Sequence, residues 1–224
     1  MFAATEIEMV EVETTIPQYP LPPAATRPAI RTERLVLKPL SAEHLEGIHA
    51  LRLQEDVMKW TTQARPDKDM EESRAWLERF LPPNDTKALN YAICLGDTEE
   101  VIGIGGSHIK EGELGWPELG YMLRKEAWGN GYATEFLRAF LQAWWALPRA
   151  RVQLKVDKST ILDADAAVKQ ECLVAITEVT NRPSQSVLRK AGFSMKKVWF
   201  SADDHKIGSN MALIGFLSLR PLDM

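Results

Sequence analysis

Gly129 and Gly131, in the stretch WGNGYATEFLRAF (128–140), flank a single residue and open at once onto a helix-period pattern. Side chains are missing where they would block approach to main-chain amides. Thr134 and Glu135 bring a hydroxyl and a carboxylate into the first helical turn. A helix N-terminus presents unbonded N–H groups and a partial positive charge, so it receives anions, pyrophosphate most often. An isolated G-x-G is otherwise a tight strand-to-helix turn. A dinucleotide fold requires G-x-G-x-x-G/A directly after its first strand, whereas here Thr134 holds the third position and the pair comes late in the chain. A P-loop requires Gly-Lys-Ser/Thr, which the chain lacks.

The glycines are positioned by the elements on either side. ELGYMLR (118–124) reads as a strand, the third in a row after the hairpin LNYAICL (89–95) and EVIGIGGSHI (100–109). Behind the glycines, Phe136, Leu137, Phe140, Leu141, Trp144 and Trp145 recur at helical spacing until Pro148. Upstream, TERLVLKPL contains a strand, Ser41 caps a helix over 42–53, and a second helix over 70–80 is stopped by Pro82-Pro83. Downstream, RVQLKV alternates like a strand and TILDADAAVKQE reads as a loop. LVAITEVT (173–180) is a buried strand, and RPSQSVLRKAGF is a helix with Gly192 at its end. Residues 195–200 and 210–217 close the chain as strands. Hairpins mixed with crossover helices predict an α/β (α+β) fold with a mixed sheet covered by helices.

With 224 residues, 45% hydrophobic and 26% charged, the chain is of ordinary globular composition. A formal charge of -4 without a basic run points away from nucleic acid, and no apolar stretch is long enough to span a membrane. Residues 1–26 read as an acidic, Pro-rich N-terminal arm without a signal peptide, ahead of one globular domain over 27–224. Cys94 and Cys172 read as reduced thiols of a cytoplasmic protein, and His44, His49, His108 and His205 are scattered, so no metal is expected.

ELGYMLRKEAWGNGYATEFLRAF, followed some fifty residues later by NRPSQSVLRKAGF, resembles the GCN5-related N-acetyltransferase (GNAT) superfamily, in particular its ribosomal-protein N-terminal acetyltransferase branch. TERLVLKPL and VIGIGG fit the same branch. The resemblance implies a mostly antiparallel central sheet of about seven strands, flanked by helices and splayed between the fourth and fifth. It also implies acetyl-CoA as co-substrate, no metal, and an amine acceptor that is either a small molecule or a protein N-terminus, in a monomer or homodimer. Two features depart from the family. Glu126 stands where it has Arg or Gln, so that Arg124 or Lys125 would have to supply the cation. The stretch 148–172 is long for a helix-to-strand link: either RVQLKV is an extra strand, or it is the outer half of a fifth strand interrupted by an insertion.

Acyl transfer from a thioester to an amine needs a base for the amine, stabilisation of the oxyanion and a proton for the thiolate. The resemblance makes Glu118 the leading base, with His108 next and a solvated strand-start glutamate as the plain alternative. Period two puts Glu118, Gly120 and Met122 on one face of the strand and Leu119, Tyr121 and Leu123 on the other. By resemblance, Met122, Leu123, Arg124, Trp128, Gly129, Asn130, Gly131, Tyr132, Ala133 and Thr134 contact the coenzyme, with the pyrophosphate on the loop amides. Asn181 binds the pantetheine arm, and Ser184 or Tyr121 supplies the hydroxyl near the sulfur. Asn181 also reads as a helix N-cap. Arg182, Arg189, Lys190, Lys196 and Lys197 form a basic cluster for the 3′-phosphate or simply a solvated face, and Trp60, Trp76 and Trp116 fall on segments that wall the family's acceptor cleft. The competing function is a non-catalytic acyl-CoA sensor or interaction module of the same fold.

Overall fold

Period-two segments become strands and 3.6-period stripes become helices in the computed structural model, which describes residues 4–202 and 210–221. His205 and the first three residues of the expected arm lie outside that range. The strands are β1 (Met9–Pro17), β2 (Ile30–Arg31), β3 (Leu35–Pro39), β4 (Leu89–Leu95), β5 (Val101–Ile109), β6 (Glu118–Leu123), β7 (Arg149–Asp157), β8 (Cys172–Glu178), β9 (Ser194–Ala202) and β10 (Asn210–Leu219). The helices are α1 (Leu45–Arg52), α2 (Glu55–Met58), α3 (Met70–Glu78), α4 (Tyr132–Trp145) and α5 (Arg182–Lys190).

Eight strands form one sheet in the order β2-β3-β4-β5-β6-β8-β10-β9. β2–β3, β3–β4, β4–β5, β8–β10 and β9–β10 pair antiparallel. β6 and β8 pair parallel, and only through Glu118↔Val174 and Leu119↔Ala175. This is the mixed, mostly antiparallel sheet expected, with one strand more than the seven foreseen. The brief parallel pairing falls where a splay was anticipated.

The chain divides into two compact units, one of Met1–Gln18, Ile109–Leu119 and Gln142–Met224, the other of Tyr19–His108 and Gly120–Leu141. In the second, Val36, Ala92, Cys94 and Ile104 bury one sheet face against Ile48 and Leu51 of α1 and Leu77 of α3. Residues of the other parity, Tyr91 and Tyr121, stack edge-on or tilted against Phe140 and Phe136 of α4. Asp69 caps α3 by accepting from the Glu72 amide at 2.9 Å. The helix expected over 42–53 begins as a 3-10 turn, closed by Ser41 and His44, before α1 proper.

In the first unit the expected arm proves to be structure. β1 pairs with all nine residues of β7 in a second, two-stranded sheet. Val12, Thr14 and Ile16 are buried on one face, while Glu11 on the other is exposed. RVQLKV thus forms β7 in this second sheet, outside the eight-stranded one. Lys197, assigned above to a basic cluster, is buried and donates to Asp157 Oδ2 at 2.8 Å and to the Glu6 carbonyl. Burial alone would raise the Asp157 carboxyl, but Lys197 and its other donors hold it below the usual range. No helix among the described residues is long and apolar enough to cross a membrane.

Candidate active site

The glycine loop lies within the unit of Tyr19–His108 and Gly120–Leu141. After β6 a 3-10 turn, Lys125–Ala127, leads to Trp128, and both glycines adopt left-handed backbone, φ 77° at Gly129 and 82° at Gly131. Any other residue is strained there. A Cβ on Gly129 would have no protein atom within 4 Å, and one on Gly131 would meet only Arg34 Nη2 at 3.5 Å. The small residues serve a turn, then, whose outer face is open. The Glu135 amide bonds back to the Gly131 carbonyl at 3.1 Å. The amides of Tyr132, Ala133 and Thr134 precede that bond, in the first turn of α4.

The charges around this loop differ from the sequence expectation. Glu126 accepts from Gln54 Nε2 at 3.0 Å, and Gln54 Oε1 accepts from the Lys125 amide at 2.7 Å. Arg124 pairs with Glu100 at 2.5 Å, and Lys125 with Asp56 at 2.6 Å. Gln54, Glu100, Arg124, Glu126, Asn130 and Tyr132 line a cavity of about 330 Å³. Both cations proposed to replace the family's Arg or Gln are thus engaged with carboxylates.

Arg34 is the residue the sequence reading missed. Its Nη1 donates to the Asn130 carbonyl at 2.9 Å and its Nε to Glu135 Oε2 at 2.8 Å, with the guanidinium 4.8 Å from the Tyr132 ring centroid. Thr32 Oγ1 and the Arg34 amide complete the hold on Glu135. Arg34 therefore clamps the loop to the first turn of α4 and places its charge beside Gly131. Arg34→Ala is expected to weaken acetyl-CoA binding roughly tenfold, about one charge-assisted hydrogen bond's worth. Calorimetric titration checks this, and unchanged affinity would reduce Arg34 to a surface ion pair.

In the same unit, the His108 ring stands over Gly120, its Cε1 2.9 Å from where a Cβ would be. It is half-buried. Burial pushes its pKa down, a Gly106 backbone bond opposes this, and Arg79 adds to it, so it is neutral near pH 7. Tyr121 packs against Phe136, ring centroids 6.5 Å apart. Met122 joins the α1 side of the core, and Leu123 is buried. Trp128 is 43% exposed, with its indole N–H donating to the Leu123 carbonyl at 2.8 Å.

Glu118, Asn181 and Ser184 belong to the other unit. Glu118 is half-buried at the start of β6. Burial pushes its carboxyl up to about 7; the Glu113 amide opposes the shift and the Glu113 charge adds to it. Asn181 caps α5, its Oδ1 accepting from the Ser184 amide at 3.2 Å. Gln185 Nε2 ties the same helix to the Val179 carbonyl at 2.9 Å. Trp116, assigned to a cleft wall, is instead 1% exposed and bonded to Thr160 Oγ1 at 2.7 Å. Trp76 likewise packs on the core, under Arg52.

The acetyltransferase (GNAT) domain family matches residues 34–194. The chain belongs to the GNAT acetyltransferases. The N-acetyltransferase p20 of Bacillus licheniformis, itself uncharacterized, is 28% identical over 128 residues, 56% of this chain and 71% of p20. A GNAT-family acetyltransferase structure from Bacillus anthracis superposes with TM-score 0.64 at 19% identity, covering 86% of this chain and 99% of that one. The microcin C7 self-immunity acetyltransferase MccE, solved with acetyl-CoA and AMP, gives TM-score 0.60 at 16% identity over 84% and 93%. GNAT acetyltransferases draw their acetyl group from acetyl-CoA. The loop described here fits that ligand: its two left-handed glycines carry no side chain, and its outer face leads to a helix N-terminus.

Proposed function

We propose that this GNAT protein transfers the acetyl group of acetyl-CoA to a primary amine by direct attack, with Glu118 as general base. What supports the reading is the place of Glu118, half-buried at the start of the strand that runs into the glycine loop, where burial raises its carboxyl to about 7. A base works best when its pKa lies near the working pH. At an ordinary carboxyl value Glu118 would be a weaker base.

Acetyl-CoA, when bound, supplies a thioester carbonyl and a thiol leaving group. The amides of Tyr132–Thr134 and the backbone at Gly129 and Gly131 hold its pyrophosphate, and Arg34, itself paired with Glu135 at 2.7 Å, braces the loop that presents them. Asn181 Oδ1 is occupied by the cap, which leaves its side-chain N–H groups to donate to the pantetheine arm. Ser184 Oγ returns a proton to the sulfur. Tyr121 is the weaker candidate for that step, because it has the opposite parity to Glu118 on β6 and its ring packs against Phe136. The acceptor is a small molecule or a protein N-terminus.

Two measurements test this. Acetyl-CoA should raise the melting temperature, a ligand at 100 times its Kd adding about 2.7 kcal/mol to the native state. A panel of amines should then yield at least one acceptor that releases free thiol. Gly131→Leu should lose the melting shift, since the new side chain stands in the path of the pyrophosphate. A Gly131→Leu protein that shifts like wild type would show the loop to be only a turn. A full shift with no thiol release from any amine would leave a binding protein that does not transfer.

A further inference from the structure

The turn 111–117, between β5 and β6, is built more firmly than a surface connection requires. Gly112 N donates to the Trp116 carbonyl at 2.8 Å, and the Asp157 amide donates to the Leu114 carbonyl at 3.1 Å. Trp116 is anchored on Thr160, and the Val174 amide donates to the Pro117 carbonyl at 2.9 Å. One bond within the turn and three to neighbouring segments therefore fix the residues immediately before Glu118.

Two of its residues touch the Glu118 side chain. A Cβ on Gly112 would stand 2.4 Å from Glu118 Oε2 and 3.0 Å from its Cβ, so the carboxylate occupies the space that a side chain at 112 would fill. The Glu113 amide donates to the same carboxylate. The Glu113 side chain is exposed but not loose, because its Oε1 accepts from the Trp199 indole N–H at 2.7 Å. Trp199 is itself 2% exposed, packed over Gly215 beside Leu114. A second carboxylate is thus pinned next to Glu118 by a buried indole on β9.

We propose that Gly112 and Glu113, the latter held by Trp199, are positioning residues: they aim the Glu118 carboxylate and set a like charge beside it. This rests on Glu118 being the base proposed above. The neighbouring charges on the turn, Lys110 and Glu111, pair with each other at 3.7 Å. From the partner strand β8, Val174 and Ala175 face the start of β6 and are apolar. Glu113 is accordingly the charge that acts on Glu118.

The test uses Glu113→Gln and Gly112→Ala, with Glu118→Gln as reference. Glu113→Gln keeps the backbone amide and an acceptor for Trp199 while removing the like charge. Its acid limb of kcat/KM should move to lower pH, with the plateau rate retained; loss of mere structure would lower the plateau and leave the limb in place. Gly112→Ala should displace the carboxylate and cost about 10²-fold in kcat, as ångström-scale misplacement does, with the acetyl-CoA melting shift unchanged. If Gly112→Ala does not fold, Glu113→Gln alone decides. An unmoved limb in Glu113→Gln, with Glu118→Gln inactive, overturns this proposal and spares the base. Wild-type turnover by Glu118→Gln overturns both.

Discussion

Glu118→Gln is expected to bind acetyl-CoA normally and to lose about 10²–10⁴-fold of turnover near neutral pH, the usual range for general-base assistance. The isosteric amide keeps the shape of the site and removes only the proton acceptor. In the wild type the acid limb of kcat/KM should lie near 7, where the carboxyl titrates. The deficit of the variant should shrink as pH rises, because the acceptor amine then arrives already deprotonated. Stability supplies a separate check whose sign is fixed by the same carboxyl. Its folded pKa, about 7, lies above the ordinary 4.5, so the native state holds its proton more tightly than the unfolded chain does. Wild-type stability should therefore fall as pH rises between those values, and the variant should gain on it across the same window. Wild-type turnover by Glu118→Gln at every pH would remove Glu118 from the role. His108, neutral at pH 7 and standing over Gly120 on the same strand, would be the next base to test.

What the sequence shows and what it hides divide along contact distance in the chain. Gly129 and Gly131 are legible because the strand before them and the helix after them are local, and local period is written in neighbouring residues. Glu118 is legible as a carboxylate at a strand start, but its proton affinity is not, since that follows from burial and from Glu113. Arg34 leaves no local trace: its partner Glu135 is 101 residues away. The Trp199–Glu113 bond spans 86 residues and is equally silent. Lys197 looked like part of a basic surface because it follows Lys196, yet alternation on β9 sends the two to opposite faces. The N-terminal segment is a different case. Val10, Val12, Thr14 and Ile16 alternate in plain view, but the intervening glutamates and the prolines that follow give the composition of a solvated arm. Composition counts charges without asking which face they occupy.

Removing residues 1–17 is accordingly expected to cost the protein its folded state, not merely a tail. The deletion would uncover Leu154 and Val156, cross-strand partners of Val12 and Val10, and take away the buried Ile16. It would leave the nine-residue β7 with an open hydrogen-bonding edge, and an exposed edge strand invites association with other chains. Polar groups lose partners as well. Asp157 forfeits the Glu8 amide at 2.9 Å and Lys197 the Glu6 carbonyl, while the buried Glu171 carboxylate forfeits the Thr15 hydroxyl at 3.0 Å. Each uncompensated buried group costs about 1–3 kcal/mol, and a few such losses rival the whole stability of a domain. The damage also reaches the proposed base, because the Asp157 amide is one of the bonds that fix the turn before Glu118. The measurement is soluble yield together with a melting curve. Aggregation, or a broad transition without cooperativity, is the expected result. A truncated protein that melts as sharply as the full chain and still shifts with acetyl-CoA would show that β1 decorates the fold rather than completes it.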